Sequence, residues 1–409
     1  AAPWSILAIT FTNKAANELK ARLQALLGDY AMDVWAMTFH AACCRILRRE
    51  IGRLDGYTGR FTIYDTSDSE RVMKDILKDF GLDEKSLPPR LALSVISKAK
   101  DKRQGPEQFS KHAGKSGDYR MDRIAQLYAE YEKRLHEANA LDFDDIILKT
   151  VELLEQFEDV RTYYQRKFHY VMIDEYQDSN EVQETLLRSI SREERGENNI
   201  FMVGDVKQSI YRFRLARPEL FMKKYDSYSL EESTTQRIDL HKNFRSREEV
   251  LTCTNDIFYK IMVRSLGNVE YDAEAALYPG ASYPVSADFT PEILLADSND
   301  ELLEDTEFSD KKTLEAKIVA EEIRHLMKTQ PVTDKATGEL RAARYSDIVI
   351  LLRSLSGWAD SLVEVLNGNG IPAHTVSSTG YFSTVEVQTV LSMLRLLDNP
   401  RQDIPMAAV

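Results

Sequence analysis

The sequence predicts an α/β fold with parallel strands, and three short apolar runs carry that prediction. The runs 5–10, 170–173 and 200–203 each end abruptly in polar residues. A short apolar run of this kind is typical of a buried strand in a parallel sheet. Amphipathic stretches at helical spacing separate the runs, as expected where helices connect the parallel strands of an α/β protein.

Two adjacent carboxylates, Asp174 and Glu175, directly follow the run 170–173. Ligands of α/β folds bind at the carboxyl ends of strands. Burying two adjacent acids is costly unless a hydrated Mg²⁺ beside phosphates offsets their charge. We therefore predict that Asp174 holds Mg²⁺, through water, and that Glu175 orients or deprotonates the attacking water in nucleotide hydrolysis. The alternative is structural: a strand end followed by a helix cap and an acidic first turn.

Polar residues also follow the first predicted strand and a second one at 33–38. Thr12 or Asn13 is a good N-cap for the next helix, and backbone N–H groups at a helix N-terminus bind phosphates. Thr38 and His40 occupy the corresponding place after the second strand. Each turn is therefore either a contact with phosphate or nucleic acid or an ordinary capped strand-to-helix turn, and the spacing leaves both interpretations open.

Residues 67–139 show helical periodicity and no strand pattern, which predicts a helical block inserted into the α/β domain. The tetrapeptide SDSE at 67–70 predicts a capping box near its start. After the block, Asp142, Asp144 and Asp145 stand close together in LDFDDII. A metal site is one interpretation, but a helix N-cap with a negatively charged first turn is favoured.

A glutamine and an aromatic–basic segment follow the third apolar run, in the sequence GDVKQSIYRFR. Gly204 permits a tight turn, and Gln208 beyond it can bridge a terminal phosphate and the attacking water. Tyr211, Phe213 and Arg214 combine aromatic rings with basic charge, as base stacking and phosphate contact require. The alternative, an aromatic-rich core turn, is disfavoured because the aromatic residues alternate with basic ones.

Strand and helix patterns alternate again in the last part of the chain, which predicts a second α/β lobe. Arg245 follows a predicted strand at 237–240. An arginine at the start of a second lobe can reach across a cleft to nucleotide phosphates, as an arginine finger does. A surface salt bridge is the alternative. Further strands are predicted at 292–296, 347–352 and 371–376.

Length and composition fit a cytoplasmic globular protein of two or three domains. The 409 residues are 43% hydrophobic and 29% charged. The net charge of -13 argues against general nucleic-acid affinity, but it does not exclude a groove in which base stacking carries the binding. Three cysteines give no disulfide framework and no C-x-x-C pair. No membrane span or signal peptide is apparent.

The order of these motifs resembles that of the superfamily 1 DNA helicases of the UvrD/Rep/PcrA type. The segments that carry the resemblance are AITFTNKAANELKARL, TFHAACCRIL, LDFDDII, VMIDEYQDSNEVQ, FMVGDVKQSIYRFR and NFRSREEVL. A DEYQD-type segment followed by VGD-x-KQSIYRFR is far more specific than any single glycine motif. Within the family, KQSIYRFRLARPELF followed by NFRSREEVL is most similar to the AddA helicase–nuclease subunits of AddAB complexes.

The resemblance implies two RecA-like P-loop NTPase lobes with ATP between them, and 3′→5′ translocation along single-stranded DNA. It implies a first lobe at 1–66 and 140–232, an all-helical insertion at 67–139 and a second lobe at 233–409. The implied cofactors are ATP and Mg²⁺, and the implied role is in DNA repair and recombination. The implied partners are single-stranded or duplex DNA and a second, AddB-like nuclease subunit.

The family's functional residues carry over by position in this sequence. The residues implied in hydrolysis are Asp174, Glu175, Gln208 and Arg245. The residues implied along the DNA path are Phe11, Thr12, Asn13, Thr38, His40, Tyr211, Phe213 and Arg214.

Two departures from the family pattern bear on activity. The sequence contains no G-x-x-x-x-G-K-[ST] segment, which the family places just before the first strand. The family's later motifs and its nuclease carboxylates would lie beyond Val409. We therefore expect a fragment, with the first lobe incomplete at its N-terminus and the second at its C-terminus, that hydrolyses no ATP alone. A catalytically inactive scaffold that binds DNA or a partner protein is the alternative, and an RNA helicase is a third interpretation.

Overall fold

The computed structural model describes residues 2–209, 216–267, 269–284, 289–297, 311–334, 336–355, 357–375 and 384–398. Two compact units divide the chain, Ala1–Asp239 and Leu240–Val409. Each unit has its own secondary structure and its own buried side chains.

The described part of the first unit alternates strands with helices. Its strands are β1 (Ile6–Thr10), β2 (Trp35–Thr38), β3 (Thr62–Ile63), β4 (Ala140–Leu141), β5 (Tyr170–Ile173) and β6 (Ile200–Met202). Its helices are α1 (Asn13–Leu27), α2 (Phe39–Glu50), α3 (Thr66–Asp79), α4 (Pro89–Asp101), α5 (Pro106–Ser116), α6 (Tyr119–Glu137), α7 (Phe143–Gln156), α8 (Glu158–Lys167), α9 (Glu181–Ile190) and α10 (Pro218–Ser227).

Four of these strands form one parallel sheet in the order β2-β1-β5-β6. Leu7 pairs with Trp35 on one side and with Val171 on the other, and β6 pairs with the outer side of β5. The predicted α/β class with a parallel sheet is confirmed. Because the strands are parallel, the loops after β1, β2, β5 and β6 all leave from the same edge of the sheet.

One face of the sheet is covered by helices, and the other is partly open at β5 and β6. Val171 and Ile173 are buried in a core that they share with α2, α7 and α9. Tyr170 and Met172 point the other way and are 47% and 40% exposed. The prediction of a buried strand therefore holds for only one face of β5. Successive side chains of a strand alternate between faces, and in the described residues the helices of this core cover only one face at β5.

Helices α3 to α6 form a block with its own core, and residues 67–139 contain no strand. Met73, Ile76 and Leu127 are fully buried within it. The chain enters and leaves the block beside the short parallel pair β3–β4. The predicted capping box at 67–70 is wrong by two residues. The box joins Asp65 and Asp68, because aspartate at the N-cap accepts the N3 amide as well as serine does.

The second unit has shorter strands than its sequence predicts. The strands in its described residues are β7 (Lys242–Asn243), β8 (Tyr278–Pro279), β9 (Pro331–Thr333) and β10 (Leu340–Ala342). Its helices are α11 (Glu248–Ile261), α12 (Arg264–Gly267), α13 (Lys311–Thr329), α14 (Ala359–Gly368) and α15 (Val385–Asp398). Strands β7 and β8 pair in parallel, and β9 and β10 form an antiparallel pair.

The strands predicted at 237–240, 292–296 and 347–352 are wrong, because none of these residues pairs in a sheet. Leu240, Leu295 and Leu351 are 84%, 93% and 89% exposed, so the described residues leave these apolar side chains largely uncovered. Residues 371–375 also form no strand, and 376 lies outside the described residues. Among the described helices of the chain, none is long and apolar enough to cross a membrane.

Candidate functional site

The acid pair lies at the carboxyl edge of the parallel sheet, where β5 ends. The Asp174 N–H donates to Ile9 O at 3.1 Å, which extends the pairing with β1 by one residue. The Glu175 N–H donates to Asp174 Oδ1 at 3.0 Å. The Asp174 side chain is exposed and Glu175 is half-buried. Among the described residues, neither carboxylate has a lysine or arginine as an ion-pair partner. The pair therefore keeps its charge available for a ligand.

Glu175 has a left-handed backbone conformation, with φ 54° and ψ 37°. A non-glycine residue in this region carries a strain of about 1–2 kcal/mol, and such residues cluster at functional sites. Burial, followed by the adjacent Asp174 charge, raises the pKa of Glu175. A carboxylate with a raised pKa is a better proton acceptor, so Glu175 is suited to the role of a general base.

Gln177 joins the loop after β5 to the loop after β6. Its Oε1 accepts a hydrogen bond from the Asp205 N–H at 3.0 Å, and the Tyr176 N–H donates to Val203 O at 2.9 Å. A Cβ at Gly204 would lie 2.7 Å from Gln177 Oε1. Glycine is therefore required here for the close approach of the two loops, and its φ is not in the left-handed region that a special turn would need.

Gln208 is fixed to the same pair of loops. It ends a short 3-10 turn, Val206–Gln208, and its Nε2 donates to Asp205 Oδ2 at 3.0 Å. The Lys207 ammonium lies 2.9 Å from Asp205 Oδ1. The Asp205 N–H in turn is bound by Gln177, two residues after Glu175. The exposed Gln208 side chain therefore belongs to a loop whose position is tied to that of the acid pair.

Two threonines cap the helices that follow β1 and β2. Thr12 Oγ1 accepts from the Ala15 N–H at 3.1 Å, and Thr38 Oγ1 accepts from the Ala41 N–H at 3.4 Å. The predicted cap at Thr12 is confirmed. Asn13 is the first residue of α1 and is exposed. A contact with nucleic acid at either turn stays a prediction.

Phe11 and His40 lie in the same two turns, and each ring packs against another aromatic side chain of the protein. The Phe11 ring lies 5.3 Å from the buried Phe39 ring in an edge-on contact. His40 makes a similar contact with Phe143 at 5.8 Å. Burial lowers the pKa of His40, which favours the neutral imidazole in the free protein.

The remaining predicted site residues are placed differently. Tyr211, Phe213 and Arg214 lie outside the described residues. Arg245 belongs to the second unit, where its N–H donates to Asn243 Oδ1 at 2.9 Å and its side chain is exposed. The predicted convergence of this arginine with the acid pair and the glutamine stays a prediction.

The acids of LDFDDII form the favoured helix cap and an ion cluster, so the metal interpretation is wrong. Asp142 caps α7 by accepting from the Asp145 N–H at 2.9 Å. The ammonium of Lys100 lies 2.8 Å from Asp142 and 2.7 Å from Asp145, in the place that a metal would take. Sequence reasoning missed Lys100. The spacing of the buried residues could have indicated that Lys100 is buried, because Lys100 continues the four-residue spacing of Ala92 and Ile96.

The acid pair is suited to a magnesium ion that arrives with a nucleotide. Among the described residues, no group of three or more His, Cys, Asp or Glu side chains is placed to hold a metal ion. Mg²⁺ commonly takes one or two protein carboxylates and completes its shell with water and substrate phosphates. The exposed Asp174 beside Glu175 fits that donor set.

These features define a mixed α/β protein with a candidate site at the carboxyl edge of a parallel sheet. The family model described as "UvrD/REP helicase N-terminal domain" matches residues 1–229. The model described as "UvrD-like helicase C-terminal domain" matches residues 238–409. The chain belongs to the UvrD/REP helicase family.

Several curated relatives are similar to the chain. An ATP-dependent helicase/nuclease subunit of Lachnoclostridium phytofermentans is 46% identical over 312 residues, which cover 67% of this chain and 23% of the relative. The protein of the same description from Bacillus pumilus is 43% identical over 304 residues, with 71% and 24% covered.

A third relative matches the whole chain. The "ATP-dependent DNA helicase PcrA" of Bacillus subtilis is 36% identical over 412 residues, which cover 100% of this chain and 49% of the relative. The chain thus spans about a quarter of the helicase/nuclease relatives and about half of this helicase. The resemblance inferred from the motifs is confirmed.

Proposed function

We propose that this chain is the motor portion of an ATP-dependent DNA helicase that moves 3′→5′ along single-stranded DNA in double-strand-break repair and recombination. The observation that carries the proposal is the acid pair Asp174–Glu175. It has no ion-pair partner among the described residues, it has a strained backbone, and it is joined through Gln177 and Asp205 to the turn that ends at Gln208. Family membership supports it.

The residues have distinct roles in the proposed hydrolysis. Asp174 holds Mg²⁺ through water, and the ion would offset the phosphate charge that develops. Glu175 accepts the proton of the attacking water, in keeping with its raised pKa. Gln208 senses the terminal phosphate from the neighbouring loop. Arg245 contacts that phosphate from the second lobe, as an arginine finger does.

The proposed motor has two RecA-like lobes with ATP between them. The first lobe comprises 1–66 and 140–232, the helical insertion comprises 67–139, and the second lobe comprises 233–409. Closure on ATP and opening after hydrolysis would move the DNA contacts along the strand. The parallel sheet of the first unit supports a RecA-like first lobe, and the division of the chain into two compact units supports a two-lobe organisation.

The proposed DNA path includes the turns that leave the carboxyl edge of the parallel sheet in the first unit. The turns after β1 and β2 supply five of its residues: Phe11, Thr12, Asn13, Thr38 and His40. The aromatic–basic segment supplies the other three: Tyr211, Phe213 and Arg214. We also propose a cytoplasmic location and a second, AddB-like nuclease subunit as partner. The description of two relatives as helicase/nuclease subunits supports an assembly of more than one subunit.

The proposal is tested by Glu175→Gln in the gene product that contains this chain. We expect ATP binding to persist while DNA-stimulated hydrolysis falls at least about 100-fold, because the amide cannot accept a proton. Binding is measured with a fluorescent nucleotide and turnover by phosphate release. Glu193→Gln, at an exposed glutamate away from the sheet edge, is the matched control and should hydrolyse normally.

Each other outcome has a distinct meaning. Normal turnover in E175Q would remove Glu175 from the mechanism. A wild-type protein that binds DNA but hydrolyses no ATP would favour the inactive scaffold. Tighter binding to an RNA strand than to a DNA strand of the same sequence would favour an RNA helicase.

A further inference from the structure

A single buried lysine ties the helical block to the rest of the first unit. Lys100 is 1% exposed at the end of α4, and its ammonium lies 2.8 Å from Asp142 and 2.7 Å from Asp145, at the start of α7. It also lies 2.7 Å from Glu132 on α6, in an ion-pair contact. One cation therefore fixes two helices of the block against the helix that follows it.

The next residue extends this connection to the acid-pair loop. Asp101 Oδ1 accepts a hydrogen bond from Asn180 Nδ2 at 3.1 Å. Asn180 is the N-cap of α9, where its own Oδ1 accepts from the Gln183 N–H at 2.9 Å. It ends the segment 174–180, which begins with the acid pair. The last two residues of α4 thus contact both the buried ion cluster and the end of the loop that carries Glu175.

The segment 174–180 is held from several directions. Its first residue, Asp174, is bonded to β1, and Tyr176 is bonded to the residue that follows β6. Near its end, Ser179 O accepts from the Arg217 N–H at 2.9 Å. Asp101 adds a contact from the helical block. A change in the position of α4 therefore bears directly on the geometry of this loop.

We propose that Asp101 is a positioning residue for the hydrolysis centre, which holds Asn180 and thereby fixes the loop of Glu175 relative to the helical block. This inference rests on the proposed function, since the centre it positions is the proposed one. The ion pairs of Lys100 fix the end of α4, and the hydrogen bond of Asp101 to Asn180 connects that helix end to the loop. Neither residue is expected to touch the nucleotide.

The variant Asn180→Ser removes the hydrogen bond to Asp101 while keeping the N-cap of α9. Serine caps helices about as well as asparagine, but it lacks the amide that donates to Asp101. Asp101→Ala removes the same contact from the other side. Asp101→Asn keeps an oxygen acceptor and should rescue the function that D101A loses. Lys102→Met, at the exposed residue that follows Asp101, is the control.

Two measurements decide the proposal. In the gene product that contains this chain, we expect N180S and D101A to lower kcat for DNA-stimulated ATP hydrolysis about tenfold, with KM for ATP changed less than about twofold. In the 409-residue chain, we expect both variants to raise the hydrogen–deuterium exchange of residues 174–180 at least about fivefold. D101N and K102M should resemble the wild type in both measurements.

The two measurements fail in distinguishable ways. Wild-type exchange and wild-type kcat in both N180S and D101A would overturn the positioning role, whatever the function of the chain. A wild-type protein without ATP hydrolysis would overturn the proposed function, and the exchange data would still show whether Asp101 orders the loop. Should D101A fail to fold, N180S decides the question alone, because it keeps the helix cap.

Discussion

Two acidic clusters in the first unit have similar sequences and opposite environments. Asp142 and Asp145 are buried around the Lys100 ammonium, with N–O distances of 2.8 and 2.7 Å. Asp174 and Glu175 lie at the edge of the sheet, and no lysine or arginine of the described residues forms an ion pair with them. Each cluster follows a strand: Asp142 and Asp145 lie at the N-cap and in the first turn of α7, and Asp174 and Glu175 precede a 3-10 turn.

The comparison shows that the counter-charge, and not the density of acids, separates a structural cluster from a candidate ligand site. Burial raises the pKa of Asp145 far above its usual range, even beside Lys100. Burial also opposes ionisation of Asp142, but Lys100 outweighs it and lowers the pKa of that carboxyl. The chain thus neutralises this cluster itself. The acid pair at the sheet edge has no counter-charge among the described residues, so a bound ligand would have to supply it.

The largest expected effect comes from removing the internal counter-charge. Lys100→Met should lower the free energy of unfolding by about 3–5 kcal/mol, because it leaves the buried Asp142 carboxylate without its cationic partner and Asp145 without its hydrogen-bond donor. Urea unfolding of the 409-residue chain with Trp4 and Trp358 replaced by Phe, followed by the fluorescence of the buried Trp35, measures it. Lys102→Met, at an exposed lysine of the same helix end, should change stability by less than about 0.5 kcal/mol. Equal effects of K100M and K102M would mean that the ion cluster is energetically unimportant.

The sequence predicted that Asp174 and Glu175 lie at the carboxyl end of a strand, because signals from neighbouring residues suffice for that prediction. An apolar run followed by acids marks the end of β5, and a threonine before a helical stripe marks the cap of α1. Lys100 could not be assigned in this way, because its partner Asp142 lies 42 residues away. Only the packing of α4 against α7 brings them together.

In the second unit the sequence predicts the helices but not the strands. Apolar residues recur at helical spacing in 314–327, 358–366 and 385–397, which predicts helices there, and α13, α14 and α15 overlap these ranges. The predicted strand at 347–352 fails, since a strand needs a neighbour and an apolar run does not say which segment supplies it. Val349 and Leu351 are 76% and 89% exposed. Residues such as Gln177 and Asp205 were missed at the site for a related reason, because their hydrogen bond joins two loops.

An intermediate effect is expected at Asp101, which links the two clusters. Burial, and then the Asp144 charge, raises the pKa of Asp101 to about 7. A raised pKa means that the folded state binds the proton more tightly. The stability this provides is fully present below the unfolded pKa, near 3.8, and is lost as the pH rises through about 7.

Asp101→Asn removes this titration. At pH 8 the variant should be more stable than the wild type by about 1–2 kcal/mol, a value reduced for solvent screening, and the difference should vanish near pH 4. Urea unfolding at several pH values measures it. In an Asp144→Asn background the effect of D101N should shrink, since the second cause of the shift is gone. A difference that does not depend on pH would show that Asp101 does not titrate with folding.

The smallest expected effect tests the free acid pair directly. Glu175→Gln removes a charge that is disfavoured by burial and by Asp174, and it breaks no ion pair among the described residues. The free energy of unfolding should therefore stay the same or rise by up to about 0.5 kcal/mol at pH 8. The same urea titration that measures K100M gives this value. A loss of about 2 kcal/mol or more, approaching that of a broken buried ion pair, would mean that Glu175 has a stabilising partner within the chain. The contrast between the two clusters would then no longer hold.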